Sequence, residues 1–223
     1  MKRIAFFSFI IFVLFQGQVL GSENLASIIS GIQKQYGGLP GLTVKYSREV
    51  ITRSMAMLGD RVKGDLAAGV IYFKPPRHLK LQQETPKPET VLVDGDIIWW
   101  YVPEKKTAYR YPAQEFGKEL ELLSDIFSGL LKVEEKFRVK MLDENRPNEH
   151  LVLLYPEPPW QEVDRIELRV TTAYEIVGVH IYNLMGGITR FSLLKTEQTK
   201  NFKDGVFRFK VPEGVQVKEG ADQ

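Results

Sequence analysis

Apolar residues fall into two alternating regimes along the chain. Leu25, Ile28, Ile29, Ile32 and Tyr36 recur on one helical face and Gly37-Gly38 stops it, which predicts a helix ending at Tyr36. The period then drops to two. It predicts strands at 43–52, 62–73 and 78–84, with a loop over 54–60 and Pro75-Pro76 interrupting any ladder, because proline donates no backbone hydrogen bond. Asp94-Gly95 between the runs 90–93 and 96–102 marks a hairpin, and 107–111 adds the next strand. A helical period returns over 116–132, with Leu120, Leu123, Ile126, Phe127, Leu130 and Leu131 on one side. Strands are predicted again at 137–142, 151–155, 164–170, 174–182, 188–196 and 206–211.

The expectation is a sheet of about eleven strands with two or three helices. Their connections are too short for crossover helices, so the sheet must be largely antiparallel and the class mainly β within α+β. No linker or repeat divides it, leaving a closed barrel, a sandwich or one curved sheet backed by helices. Ile71, Phe73, Leu79 and Leu81 share one parity, whereas Tyr72, Lys74, His78, Lys80 and Gln82 share the other. Ile166, Leu168 and Val170 repeat that split against Arg165, Glu167 and Arg169. One apolar sheet face therefore needs a cover. Two amphipathic helices either pack fully against it or roof a cavity. Trp99 and Trp100 are adjacent and must point to opposite faces, so at most one of them joins the apolar layer.

The N-terminus changes the picture of where this fold works. Lys2-Arg3, an apolar run over 4–15 and the exit Val19-Leu20-Gly21 have the form of an export signal cleaved near residue 21. The run is too short to span a bilayer core of roughly 30 Å. Residues 22–223 are then expected to form one soluble domain. The whole chain carries 30 Lys+Arg against 28 Asp+Glu, and the signal removes two cations and no anion, so the mature chain is neutral. Nothing electrostatic points to nucleic acid. Zero cysteine excludes a disulfide framework and a lipidated N-terminal cysteine.

Catalytic chemistry finds little footing. His78, His150 and His180 lie on separate predicted strands without metal-ligand spacing, and there is no Gly-x-Ser-x-Gly elbow and no thiol. Asp94-Gly95-Asp96 and Gly186-Gly187 read as turns rather than as metal or phosphate loops. The expectation is a protein that is not an enzyme and takes no cofactor or metal.

Three ordered segments carry a family resemblance. Lys63-Gly64-Asp65 leads into Gly69-Val70-Ile71-Tyr72-Phe73-Lys74-Pro75-Pro76; Val93-Asp94-Gly95-Asp96 precedes Trp99-Trp100-Tyr101; and Phe207-Arg208-Phe209-Lys210-Val211-Pro212-Glu213-Gly214-Val215 follows near the end. In order, spacing and exported context, the chain resembles the periplasmic outer-membrane lipoprotein carrier family, LolA, over nearly all of its mature length. The resemblance implies an incomplete antiparallel β-barrel lidded by helices around an apolar cavity that shields lipoprotein acyl chains. It implies a periplasmic monomer loaded by an inner-membrane lipoprotein-releasing ABC transporter and unloaded by an outer-membrane lipoprotein receptor. The same fold also serves carriers of other amphiphiles, such as glycolipids or polyketides, and lipid-sensing regulatory domains of envelope-stress signalling. The expected cavity lining is Ile71, Phe73, Leu79, Leu81 and one of Trp99 or Trp100, with Leu123, Ile126, Phe127 and Leu130 from the lid. The family often places a lid-latching arginine where this chain has Pro75. By parity Arg77 is the cation that could replace it.

Overall fold

The computed structural model describes residues 24–57, 63–116, 118–142 and 147–220. The expected signal over 1–21 and the first residue of the strand predicted from Val62 lie outside them.

Helix α1 (Leu25–Tyr36) starts where the Asn24 side chain accepts a hydrogen bond from Ser27 N at 2.9 Å, satisfying one of the amides that a helix start leaves unpaired. It buries Ile28, Ile29, Ile32 and Tyr36. β1 (Leu42–Ile51) leads to the short helix α2 (Arg53–Met57), which occupies part of the span expected to be a loop. Five strands follow: β2 (Asp65–Lys74), β3 (His78–Thr85), β4 (Glu89–Asp94), β5 (Ile97–Val102) and β6 (Thr107–Pro112). Asp94 pairs with Ile97, so Gly95-Asp96 forms a two-residue turn, and Gly95 has φ 64°, a conformation that a side chain disfavours.

The long helix expected over 116–132 is instead three: α3 (Ala113–Phe116), α4 (Lys118–Phe127) and α5 (Val133–Lys136). Gly129 at φ 83° and Leu130 at φ 55° turn the chain out of α4. Leu130 is thereby tucked into the core, while Leu131, expected on the same side, points to solvent. Strands β7 (Phe137–Leu142), β8 (Glu149–Pro156), β9 (Val163–Thr171), β10 (Ile176–Asn183) and β11 (Ile188–Gln198) complete the predicted run, and β12 (Gln216–Glu219) closes the chain.

All twelve strands belong to one sheet, in the order β12-β6-β5-β4-β3-β2-β1-β11-β10-β9-β8-β7. Two antiparallel meanders, β1 to β6 and β7 to β11, are joined where β1 pairs with β11. The ladder stays open, with β12 and β7 as its edges. Gly69 serves this geometry directly. A bulge between Ala68 and Gly69 brings the β3 backbone so near that a Cβ at Gly69 would stand 2.0 Å from the Gln82 carbonyl oxygen.

The strand predicted at 206–211 is absent. Its amides bond locally, Val206 N to Lys203 O and Arg208 N to Gly205 O, and Phe209 N donates to Asp94 Oδ2 at 3.1 Å. The segment is a strap held by aromatic side chains: Phe209 stacks on Trp99 at 4.8 Å and Phe207 meets His78 at 5.5 Å. Alternating aromatics show that one side is buried but not that the backbone joins a ladder. The strap is long enough to return the chain in parallel, and β12 pairs with β6 that way, an exception to the antiparallel expectation. Phe209→Ala is expected to cost about 1–2 kcal/mol, an aromatic pair plus a half-buried ring. It should also speed proteolysis between Lys200 and Lys210; unchanged cleavage would show that the strap is held elsewhere.

Candidate functional site

Cross-strand register defines the two faces. Phe73 lies opposite Leu79, Leu79 opposite Val93 and Val93 opposite Ile98; the next row runs Ile71, Leu81, Val91, Trp100 and Tyr109. On the other side of β2, Leu42 faces Phe73 and Val44 faces Ile71. Leu42, Val44, Ile71, Phe73, Leu79 and Leu81 share a single buried cluster with Ile166, Leu168, Val152 and Leu154 from the second meander, and Val91 and Val93 pack against it, so the apolar rows of both halves converge. We call this the inner face.

Helices α1 and α4 cover it. Phe127 of α4 meets Phe73 at a ring distance of 5.7 Å, and Leu123, Ile126 and Leu130 join the same cluster. The buried Tyr36 oxygen accepts a hydrogen bond from Ile176 N at 2.9 Å and fixes the end of α1 to β10. Ile71, Phe73 and Leu79 are 0% exposed, so helices and sheet are closed on one another. Each expected lining residue except Trp99 is therefore on this face. Trp100 is the inner tryptophan, stacked on Tyr109 at 5.0 Å, whereas Trp99 lies on the outer face under Phe209. Sequence parity separates the two but does not say which of them faces in. Val91, Val93 and Tyr109 belong to the same rows beyond the expected lining, and the β-period of their strands is the signal that places them.

Arg77 sits exposed in the turn between β2 and β3. It makes no hydrogen bond or ion pair among the described residues, so the expected contact with helix carbonyls is not among the forces that hold the lid here. Closure rests on apolar packing together with the Tyr36–Ile176 hydrogen bond.

The outer face is chemically different. A directly opposed row runs Leu66, Glu49, Arg190, His180, Glu167 and Leu153, under a concavity of about 750 Å³. His180 Nδ1 stands 3.2 Å from Glu167 Oε1, Tyr182 donates to Glu167 Oε2 at 3.3 Å, and Arg165 lies 3.8 Å over the Tyr182 ring. Arg169 makes a two-pronged pair with Glu149 at 2.9 and 2.7 Å. This surface is built of satisfied charge pairs and offers an acyl chain little. Among the described residues, no hydroxyl is hydrogen-bonded to His180 and no group of three His, Asp or Glu could hold a metal ion.

Burial holds the His180 imidazole below its usual range; Glu167 opposes the shift, while Arg190 and Arg169 reinforce it. The folded protein therefore binds this proton less readily than the unfolded chain, whose histidines titrate near about 6.5. The contribution to stability is fully present above that pH and is lost as pH falls through the folded pKa. Melting temperature is expected to decline as pH falls below about 6.5, and His180→Gln should flatten that decline. An identical profile in the variant would rule His180 out as its source.

An open sheet with one apolar face beneath a helical cover defines the class: a half-barrel that buries apolar material against short helices. The family model described as "Outer membrane lipoprotein carrier protein LolA" matches residues 59–210, and the chain belongs to that family. An outer-membrane lipoprotein carrier protein from Hahella chejuensis (strain KCTC 2396) is 22% identical over 150 residues, 67% of this chain and 70% of that protein. In fold, the chain is similar to an uncharacterized conserved protein from Thermus thermophilus, with a TM-score of 0.51 and 11% identity over 87% of this chain and 98% of the other. A LolA superfamily protein from Nitrosomonas europaea aligns with a TM-score of 0.45 and 10% identity, over 83% of this chain and 98% of the other. Among the described residues no helix is long and apolar enough to cross a membrane.

Proposed function

We propose that this protein carries the acyl chains of lipoproteins across the periplasm, shielding them between its inner sheet face and helices α1 and α4. The carrying observation is that this interface is made of apolar side chains from both layers, with Phe73 against Phe127 at its centre. Such an interface can part and accept hydrocarbon without leaving backbone groups unpaired, because strand and helix hydrogen bonds lie within their own layers.

Transfer of a 16-carbon chain from water could contribute on the order of 10 kcal/mol at about 0.8 kcal/mol per methylene. The closed, empty protein already buries the same surface against itself, and that self-packing is lost when lipid enters. The difference sets the net affinity and keeps release feasible. Residues 1–21 serve as the export signal in this reading. An inner-membrane transporter that releases lipoproteins loads the carrier, and an outer-membrane receptor with a tighter site unloads it.

Mass spectrometry of the ligand extracted from protein purified out of its native periplasm tests the proposal. Acylated peptides are expected. A free glycolipid or polyketide would reassign the cargo, and co-purification of a signalling protein with no lipid would favour a regulatory role.

A further inference from the structure

The inner face is not apolar along its whole length. Beyond the row of Ile71, Leu81, Val91 and Trp100, the next positions are Tyr46, Gly69, Gln83 and Glu89, each opposite its neighbour, with Arg48 opposite Ala67 one step further. Arg48 Nη2 donates to Gln83 Oε1 at 3.1 Å, and Gln83 Nε2 donates to the Lys87 carbonyl at 2.8 Å. Trp100 Nε1 donates to Glu89 Oε2 at 2.9 Å, so a tryptophan of the apolar row is also tied to this polar end. Helix α4 covers the opposite end, where Phe73 and Leu79 are sealed.

Arg48 Nε is shut off from solvent and has no hydrogen-bond partner among the described residues. A buried donor left unpaired is unfavourable and uncommon, and here it sits where the apolar rows give way to polar side chains. Its surroundings limit what it can take. Burial pushes the Tyr46 phenol up; Arg48 opposes the shift while Glu84 and Glu89 reinforce it, so carboxylates as well as Arg48 act at this end of the face. A site with one spare N–H and no excess positive charge suits a neutral acceptor oxygen better than a phosphate or a free carboxylate.

We propose that Arg48, with Gln83, Glu89 and Trp100 around it, binds the carbonyl oxygen of the ester or amide that joins an acyl chain to its headgroup. Arg48 Nε donates to that oxygen, and the chain runs from Trp100 past Leu81 and Ile71 toward α4. This subsite rests on the proposal that acyl chains lie on the inner face, and it gives the bound lipid a direction and a linkage preference.

The test is displacement of the neutral dye N-phenyl-1-naphthylamine from the whole mature protein by two matched lipids. 1-Palmitoylglycerol has the ester carbonyl; 1-O-hexadecylglycerol has the same headgroup and chain length without it. The wild type is expected to prefer the ester by about tenfold or more, the range of a charged donor to a neutral acceptor. Arg48→Met should abolish that preference, so that the ester and the ether bind alike. N-palmitoyl serinol extends the comparison to amides, and wild-type preference for it over the ether would assign the site to both linkages. Equal wild-type affinities for ester and ether, or an ester preference that survives in Arg48→Met, would overturn the subsite while leaving the acyl site standing. Failure of both glycerol lipids to displace bound dye would overturn the acyl site and the subsite together. A readout that needs no variant is the infrared carbonyl stretch of ¹³C-labelled 1-palmitoylglycerol bound to the wild type. A frequency below that in hydrocarbon solvent is expected, and one equal to it would rule out the donor.

Discussion

Leu79→Glu is expected to destabilise the closed protein by several kcal/mol and to abolish acyl binding. Leu79 is 0% exposed, between Phe73 and Val93 on the inner face. A carboxylate there has no partner in the apolar rows beside it, so it must either remain charged at a large desolvation cost or take up a proton. Chemical denaturation reads the first effect and displacement of a neutral apolar dye reads the second. Leu79→Ala separates them: it should cost about 2–5 kcal/mol through the cavity it leaves, with no charge to exclude lipid. Binding retained in the alanine variant and lost in the glutamate variant supports an acyl site at Leu79. Wild-type binding in Leu79→Glu would place the lipid elsewhere.

Phe127→Ala should move stability and affinity in opposite directions. Truncating a buried phenylalanine costs about 3–5 kcal/mol, of which the ring contact with Phe73 accounts for roughly 0.5–1.5. If lipid enters by separating α4 from the sheet, that contact is made only in the closed state. Removing it lowers the cost of opening, and each 1.4 kcal/mol so removed raises apparent affinity about tenfold. The expected outcome is a lower denaturation midpoint with tighter binding of 1-palmitoylglycerol. A parallel fall in both quantities would mean that Phe127 holds the lipid rather than closing the lid.

Much of this arrangement is legible in the sequence. Parity puts Ile71 with Phe73 and Leu79 with Leu81 because a strand alternates strictly, and the register that sets Phe73 opposite Leu79 brings the two pairs to one face. The hairpin at Gly95 followed from turn chemistry alone. The lid residues Leu123, Ile126 and Phe127 were readable from helical periodicity, although the helix itself ends at Phe127 and the chain turns away through Gly129 and Leu130. Periodicity sees a stripe of leucines and does not register a left-handed residue that redirects one of them. Residues 206–211 failed for a related reason: a strap and a strand bury alternate side chains alike, and the difference lies in where the amides bond.

The polar end of the inner face has no signature in the sequence. Arg48, Gln83, Glu89 and Trp100 come from four strands and have no local motif in common; only the register of β1 through β5 brings them together. The same holds for His180 and Glu167, ordinary strand residues until β10 and β9 align. By itself the sequence determined the period of most elements, the alternation of the strands it located, the hairpin turn at Gly95 and the family to which the chain belongs, because these depend on neighbours along the chain. Which tryptophan faces inward, the parallel return of β12, the closed contact between Phe73 and Phe127 and the unpaired Arg48 donor were decided by tertiary structure, because each depends on the register between strands or the docking of helices, set jointly by residues far apart in sequence.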